Sequence, residues 1–209
     1  MRIAAGIGLS APRVRLQHGA MTSALLVIDV QESFRQRPDW AEISAPDIAD
    51  RVAGLVDHAR ARGEHVVWVL HAEPGTGTVF DPARGFVALL PGLVPRDGEP
   101  VLTKTSHNAF TTTDLGRWLT EHGVDEVVVT GIRTEQCCET TARLASDLGY
   151  RVRFVLDATA TQPLDRHDGR GRLGTAEVQE RTAAALHGRF AQVVTLAQVL
   201  AEPVPAPAS

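Results

Sequence analysis

ALLVIDV, at residues 24–30, is the stretch that decides the fold of this chain. The run is almost continuously apolar, which is typical of a strand that is buried on both faces of a parallel sheet. Its one charge, Asp29, stands near the end of the run, where an apolar residue is expected. Because a buried charge is costly unless it is paired, Asp29 indicates a helix cap, a structural ion pair or a general base beside a nucleophile.

The same apolar pattern recurs along the chain, and amphipathic helical patterns separate its copies. The further apolar runs lie at 65–70, 100–104, 126–131, 151–156 and 191–196. The helical patterns lie at 47–62, 112–122, 135–148 and 175–188. Strands that alternate with helices in this way predict an α/β fold with three layers, α-β-α, around a mostly parallel sheet of about six strands.

Two of the helical patterns are sharp enough to predict which residues face the sheet. In the first pattern the predicted inner face holds Ile48, Val52, Leu55, Val56 and Ala59. In the third pattern it holds Cys138, Ala142, Ala145 and Leu148. Gly149 then provides a good C-terminal stop.

The chain has 209 residues, which is enough for one full domain with its own core. We predict a single domain over residues 23–201, with a flexible extension at 1–22 and a flexible tail at 202–209. A signal peptide at the start of the chain is the disfavoured alternative, because its apolar run is only about seven residues long. Met21 is a candidate translation start.

Composition excludes several classes of protein. The formal net charge is -4 and no basic stripe is present, so we expect no nucleic-acid partner. No apolar run reaches the roughly 18 residues of a membrane span, so we expect no membrane partner. The two cysteines, Cys137 and Cys138, are adjacent and cannot staple a secreted scaffold, which favours the reducing cytoplasm.

Reactive side chains follow three of the predicted strands. Asp29 ends the first run, Lys104 ends the third, and Cys137 follows the fourth. Because ligands bind beyond the carboxyl ends of the strands in such a sheet, we expect these side chains to converge there. His71 also follows a strand and could bind a metal, yet a zinc site needs three or four ligands and no second histidine stands nearby at ligand spacing.

Cys137 is predicted to be the reactive one of the two thiols. Thr134 fits an N-cap, which makes Cys137 the third residue of a helix, where the helix start lowers a thiol pKa. Cys138 is rotated by about 100° from it, onto the apolar face. Lys104 is either a solvated strand end or a cation that stabilises Asp29 and a nearby thiolate.

These residues stand in motifs that resemble those of the isochorismatase-like cysteine hydrolases, a family that includes nicotinamidases and N-carbamoylsarcosine amidohydrolase. The motifs are LLVIDVQESF at 25–34, KTSHNAFTTTDL at 104–115 and GIRTEQCCETTARLASDLGYRVRFVLDA at 131–158. They resemble the first-strand motif of the family, its lysine motif and its G-x-x-T-x-x-C motif. The resemblance covers roughly residues 24–200, and it implies the isochorismatase-like hydrolase fold.

The resemblance also implies roles for particular residues. It implies a catalytic triad of Asp29, Lys104 and Cys137. It implies a cis peptide bond between Ile132 and Arg133, with the amides of Arg133 and Cys137 forming an oxyanion hole. The further candidates for substrate binding are Gln31, Phe34, Trp68, His107 and Asn108. Trp68 is equally a candidate for the core, and the polar segment 161–174 is either a surface loop or a cover over the site.

The expected function is hydrolysis of a carboxamide or ureide C–N bond of a small molecule, through a thioester. The family members that cleave a vinyl ether lack the cysteine, so the presence of Cys137 favours C–N bond hydrolysis. The nicotinamidases of the family hold a metal with an aspartate and two histidines after the second strand. In this chain only His71 stands there, so we expect no metal and no cofactor. Two alternatives stay open: a vinyl-ether hydrolase that uses Asp29 without the thiol, and a non-catalytic protein in which the two cysteines sense redox state or the chain only binds. We also expect a homo-oligomer.

Overall fold

The computed structural model describes residues 21–204, so most of the predicted N-terminal extension and the end of the predicted tail lie outside the described residues. The strands in chain order are β1 (Ser23–Ile28), β2 (His65–His71), β3 (Val101–Lys104), β4 (Glu126–Ile132), β5 (Arg151–Ala160), β6 (Leu164–Asp165), β7 (Arg172–Leu173) and β8 (Gln192–Val194). Thr22, the last residue of the predicted extension, accepts hydrogen bonds at its carbonyl from the amides of Asp125 and Glu126.

Six of the strands form one sheet in the order β3-β2-β1-β4-β5-β8, and every neighbouring pair in it is parallel. The predicted α/β fold with a sheet of about six strands is confirmed. β1 is buried along its whole length, as its continuous apolar run predicts. β5 continues to Ala160, four residues beyond the predicted end at 156, because its pairing with β4 shifts register between Val129 and Gly131.

Helices cover both faces of the sheet. They are α1 (Glu32–Arg35), α2 (Ile48–Ala61), α3 (Leu115–Glu121), α4 (Glu139–Asp147), α5 (Thr175–Leu186) and α6 (Leu196–Leu200). Residues of α2 and α6 share one apolar core with the sheet, and residues of α3, α4 and α5 share the core on its other face. Within residues 21–204, no helix is both long and apolar enough to cross a bilayer.

The predicted helix faces hold except at one end. All of the residues predicted on the inner face of α2 are buried. On α4, Cys138, Ala142 and Ala145 are fully buried, but Leu148 is 55% exposed. The prediction for Leu148 is wrong because the helix ends at Asp147 and Leu148 is its C-cap, which lies beyond the buried face.

The polar segment 161–174 folds into a small hairpin and is not simply a loop. β6 and β7 pair in antiparallel fashion, with Leu164 opposite Leu173 and Asp165 opposite Arg172. The Arg172 guanidinium lies 3.3 Å from the Asp165 carboxylate. The strands are too short for a period-two pattern to reveal them in the sequence.

Gly131 lets β1 and β4 come very close together near their carboxyl ends. It pairs with Ile28 across the sheet and has a φ of 132°, a conformation that side chains rarely adopt. A Cβ atom at this position would lie 1.9 Å from the carbonyl oxygen of Ile28. The glycine is therefore required by the close approach as well as by its backbone angle.

Candidate active site

The candidate site lies where the order of the strands reverses. The chain proceeds from β1 to β2 and β3 on one side, then returns to place β4 on the other side of β1. In a doubly wound sheet such a switch point opens a crevice beyond the carboxyl ends of the strands. Asp29 follows β1, Lys104 ends β3 and Cys137 follows β4, so the topology brings all three side chains to this crevice.

Asp29 and Lys104 form an ion pair that is completely buried. Lys104 Nζ lies 2.7 Å from Asp29 Oδ2, and neither side chain is exposed. The ammonium also donates to Cys137 Sγ at 3.4 Å and to the carbonyl of Ser106 at 3.1 Å. Asp29 itself has a positive φ of 55°, and its amide donates to the carbonyl of Val69 at 2.8 Å. Positive φ is several-fold enriched in aspartate among the residues with a side chain, which suits it to this sharp turn after a strand.

Burial and neighbouring charges shift the pKa values of all three groups. Burial raises the pKa of the Asp29 carboxyl above its ordinary value, although the Lys104 charge opposes this. Burial opposes the charged form of Lys104, but the charges of Asp29 and Cys137 prevail and raise its pKa. Burial, followed by the facing Asp29 carboxylate, raises the pKa of the Cys137 thiol. The expectation that the helix start lowers this pKa is therefore wrong, because desolvation and a facing anion outweigh the helix.

Cys137 stands in a single π-helical turn, Thr134–Cys138, that leads into α4. The N-cap of this turn is Arg133 and not Thr134 as predicted, since the Thr134 hydroxyl is engaged in a hydrogen bond to Thr159 at 2.8 Å. The amide of Cys138 donates to the carbonyl of Arg133 at 3.1 Å, which is the wide hydrogen bond of a π turn. The peptide bond between Ile132 and Arg133 is cis.

A cavity of about 230 Å³ opens onto these groups. Its lining residues come from four stretches of the chain and include both aromatic and charged side chains: Asp29, Phe34, Arg37, His71, Glu73, Phe80, His107, Arg133, Gln136 and Cys137. Phe34 and Phe80 meet edge to face with their ring centroids 5.0 Å apart, which forms an apolar wall. Of the residues predicted to bind substrate, Phe34 and His107 line this cavity.

The other three predicted substrate-binding side chains lie outside the lining. Trp68 is completely buried in the core, and its indole nitrogen donates to Glu99 at 2.8 Å. The Gln31 amide is used by the backbone of His71, which donates to its oxygen at 2.7 Å and accepts from its nitrogen at 2.9 Å. Asn108 closes its own turn by accepting from the amides of Phe110 and Thr111. These three side chains therefore serve the fold. Trp68 belongs to the core, which the sequence left open, and the hydrogen bonds that engage Gln31 and Asn108 have no sequence signature.

Four lining residues escape the sequence patterns, namely Arg37, Glu73, Phe80 and Gln136. Glu73 and Phe80 belong to the loop after β2, so the strand-end rule could have flagged this loop as it flagged His71. Arg37 precedes a short 3-10 turn and holds Asp39 with two hydrogen bonds of 3.0 Å. The periodicity of the sequence does not predict that Arg37 lines the cavity.

Arg133 forms part of the wall between the cavity and the segment after β5. Its guanidinium lies 3.2 Å from the Glu135 carboxylate and donates to the carbonyl of Gln162 at 3.3 Å. Glu135 in turn accepts a hydrogen bond of 2.6 Å from the Thr161 hydroxyl. The Arg133 side chain is therefore held by a buried network, and its backbone amide adjoins the turn that carries Cys137.

The part of the chain that the structure describes contains no cluster of three histidine, cysteine, aspartate or glutamate side chains close enough to hold a metal ion. His71, the candidate ligand of the sequence, instead contacts Lys104 and Glu73, each at 3.4 Å. An ammonium beside the imidazole disfavours a bound cation at that nitrogen. Metal independence stays a prediction.

A doubly wound α/β sheet that gathers an acid, an ammonium and a thiol at its switch point is an arrangement typical of α/β enzymes. Residues 23–198 match the isochorismatase domain, so the chain belongs to the isochorismatase family. It is therefore a hydrolase of this family.

Two relatives and one solved structure illustrate the similarity. A streptothricin hydrolase of Streptomyces noursei is 37% identical and matches 82% of this chain and 67% of its own length. Nicotinamidase 3 of Arabidopsis thaliana is 34% identical, with 70% of this chain and 77% of its own length covered. A cysteine hydrolase of Pseudomonas syringae superposes with a TM-score of 0.78 at 26% identity, over 92% of this chain and 97% of that structure.

Proposed function

We propose that this chain is a cysteine-dependent amidohydrolase that cleaves a carboxamide or ureide C–N bond of a small molecule through a thioester. The observation that carries the proposal is the buried ammonium of Lys104, which contacts both the Asp29 carboxylate at 2.7 Å and the Cys137 sulfur at 3.4 Å. A nucleophile beside its base, with a third group that orients both, is the arrangement that covalent catalysis requires.

Because the pKa values of the Cys137 thiol and the Lys104 ammonium are both raised, the resting site holds a thiol and an ammonium, and the mechanism takes Asp29, which pairs with that ammonium at 2.7 Å, as the carboxylate. In the first step Asp29 accepts the proton of the thiol while the sulfur attacks the carbonyl carbon of the substrate. The electron pair of the carbonyl moves to its oxygen, and the amides of Arg133 and Cys137 stabilise the oxyanion. The ammonium of Lys104 stabilises the negative charge that develops on the Cys137 sulfur as the thiol loses its proton.

In the second step the tetrahedral intermediate collapses and the C–N bond breaks. Asp29 returns its proton to the departing nitrogen, so ammonia or an amine leaves and a thioester remains on Cys137. A water molecule then gives a proton to the Asp29 carboxylate and attacks the thioester, and the thiol forms again as the acid product departs. One carboxylate therefore serves as base and then acid in each half of the reaction.

The cavity limits the size of the substrate. A volume of about 230 Å³ is below the usual range for drug-sized ligands, which is about 300–1,000 Å³, so we propose a small amide or ureide. The relatives named nicotinamidase and streptothricin hydrolase support amide hydrolysis in general. The lack of a metal or other cofactor, the cytoplasmic location and the homo-oligomeric state stay predictions.

The proposal is tested with a panel of small carboxamides and ureides, assayed for release of ammonia or amine. The Cys137→Ala variant should fall to background with every substrate that the wild type cleaves. Cys138→Ala is the matched control, because it removes a neighbouring thiol that is buried in the core, and it should retain turnover. Cleavage of an amide or ureide that survives in Cys137→Ala would contradict the thioester.

A further inference from the structure

The proposed mechanism leaves His71 without a role, although this side chain lies in the wall of the cavity. Its Nδ1 atom is 3.4 Å from Lys104 Nζ, and its Nε2 atom is 3.4 Å from Glu73 Oε1. Its backbone is clamped on both sides by the amide of Gln31. The Phe80 ring lies 5.5 Å from the imidazole at an angle of 66°. The imidazole is therefore held in place by its backbone and by two polar neighbours.

The ammonium of Lys104 has more acceptors than protons. An ammonium carries three protons and accepts nothing. Four acceptors surround it: Asp29 Oδ2 at 2.7 Å, the Ser106 carbonyl at 3.1 Å, and His71 Nδ1 and Cys137 Sγ, both at 3.4 Å. Each of these acceptors therefore helps to fix the position of the ammonium between the base and the nucleophile.

The contact with Lys104 decides the tautomer of His71. Since an ammonium can only donate, His71 Nδ1 must accept, and the proton of the neutral ring then sits on Nε2. That nitrogen faces the Glu73 carboxylate, which accepts from it. Glu73 is itself held by the Thr78 hydroxyl, which donates to Oε2 at 2.8 Å. Burial, with the Lys104 charge, lowers the pKa of His71, which keeps the imidazole neutral and able to accept.

We infer that His71 is a positioning residue that holds the Lys104 ammonium over Asp29 and Cys137, and that Glu73 acts through His71 by fixing its tautomer. This inference rests on the proposed function, since it assumes that Cys137 is the nucleophile. Neither residue takes part in bond making or breaking. Glu73 contacts His71 and His71 contacts Lys104, so the two residues together orient the Lys104 ammonium.

Other charged groups face the imidazole and belong in any account of its titration. Asp29 opposes the loss of the ring proton, and Lys104 favours it. The remaining titratable and charged side chains in the wall of the cavity are Arg37, Glu73, His107, Arg133 and Cys137. The test therefore compares variants in which the ring is replaced by groups that do not titrate.

The first test measures the rate at which iodoacetamide alkylates Cys137 across a pH series, alongside turnover. His71→Leu removes the acceptor and should slow both alkylation at neutral pH and turnover by about tenfold, since a hydrogen bond to a charged group is lost. His71→Asn places an amide oxygen near the position of Nδ1 and should restore both rates to within about threefold of wild type. Wild-type rates in His71→Leu, or failure of His71→Asn to restore them in a folded protein, would overturn the inference.

The second test separates an action of Glu73 through His71 from a direct contact with substrate. Glu73→Ala should lower turnover by about threefold, and Glu73→Gln, which still accepts from Nε2, should restore it. In the His71→Asn background, Glu73→Ala should have no further effect, because no tautomer is left to fix. An equal loss in both backgrounds would overturn the role of Glu73. Because alkylation needs no substrate, it tests the positioning of Lys104 even if no amide is cleaved.

Discussion

The two ends of the sheet each bury an ion pair, and the comparison shows what makes one of them a site. Near the amino ends of the strands, Arg153 lies 2.9 Å from Glu126 and also pairs with Glu202. At the carboxyl ends, Lys104 lies 2.7 Å from Asp29. The guanidinium meets two carboxylates, and because arginine keeps its proton, no proton is exchanged within that group. The ammonium meets one carboxylate, a thiol and an imidazole beside a cavity, so protons can move there.

A buried ion pair is therefore weak evidence of a site. The Coulomb energy of a buried ion pair is largely offset by the desolvation of its two charges, and each of these two pairs meets that cost with a short contact. The carboxyl-end pair is distinguished by a third group, Cys137, that can give up a proton, and by a cavity that admits a reactant. The predictions below test this distinction, beginning with the largest expected effect.

Asp29→Asn should lower turnover by about 10²–10⁴-fold, because the base is lost while the shape is kept. Asparagine also tolerates the positive φ at this position, so the backbone turn should survive. Glu126→Gln makes the same chemical change in the ion pair near the amino ends and should leave turnover within about threefold of wild type. Steady-state assays of both variants decide the matter, and equal losses in the two would remove the distinction between the ends.

Cys137 should be alkylated much faster than Cys138, by at least about tenfold. Cys137 opens onto the cavity with 8% of its surface exposed, whereas Cys138 is completely buried in the core. Burial raises the pKa of both thiols, so exposure to the reagent and contact with Lys104 decide the difference. Peptide mass mapping after brief iodoacetamide treatment measures the ratio. Preferential labelling of Cys138 would mean that Cys138, and not Cys137, is the reactive thiol.

Lys104→Met should lower turnover by at least about tenfold and move the alkylation profile of Cys137 to higher pH. The methionine keeps most of the apolar stem but deletes the charge that favours the thiolate. Circular dichroism controls for folding, because the change leaves the buried Asp29 without its partner. A folded variant with an unmoved profile would reduce the site to a pair of Asp29 and Cys137.

The acid limb of kcat/KM should lie above the pH range of an ordinary aspartate. Burial raises the pKa of Asp29 from its usual 3.8, so the carboxyl gains a proton, and the base is lost, before the pH falls to that value. The limb belongs to the coupled Asp29–Cys137 pair and not to either residue alone. A pH series with a single substrate measures it. An acid limb at or below the ordinary value would mean that the buried pair does not govern the rate.

Chelation should have no measurable effect on turnover. Among residues 21–204 no three potential ligands cluster, and His71 faces an ammonium. Incubation with EDTA followed by assay, with and without added zinc, manganese or iron, measures the dependence. A loss that one of these ions restores would show that metal chemistry operates at this end of the sheet after all.

The fold was predictable because its central strands are buried on both faces, β1 and β4 along their whole length. Each strand of the main sheet follows from a short apolar run, and the helices between them follow from their period. What the pattern missed depends on contacts distant in sequence. The extension of β5 to Ala160 depends on a register shift against β4, and the hairpin of β6 and β7 is only two residues long on each side.

The site was predictable to the extent that its residues end strands. Lys104 ends a strand, and Asp29 and Cys137 follow one, so the strand-end rule predicts that they converge. The π turn under Cys137 carries no sequence signature, so its N-cap was placed one residue late. Arg37 was missed because it lies on a connection whose path over the cavity is set by tertiary packing.

Because Gly131 has no Cβ atom, it keeps the strand that leads to the acid close to the strand that leads to the thiol. β1 carries the acid and β4 carries the thiol, and the two backbones meet where a Cβ would stand 1.9 Å from the Ile28 carbonyl oxygen. Even alanine at this position would force the backbone to shift, because 1.9 Å is far below the distance that real Cβ contacts show. We expect such a shift to move the acid away from the thiol while leaving both in the molecule.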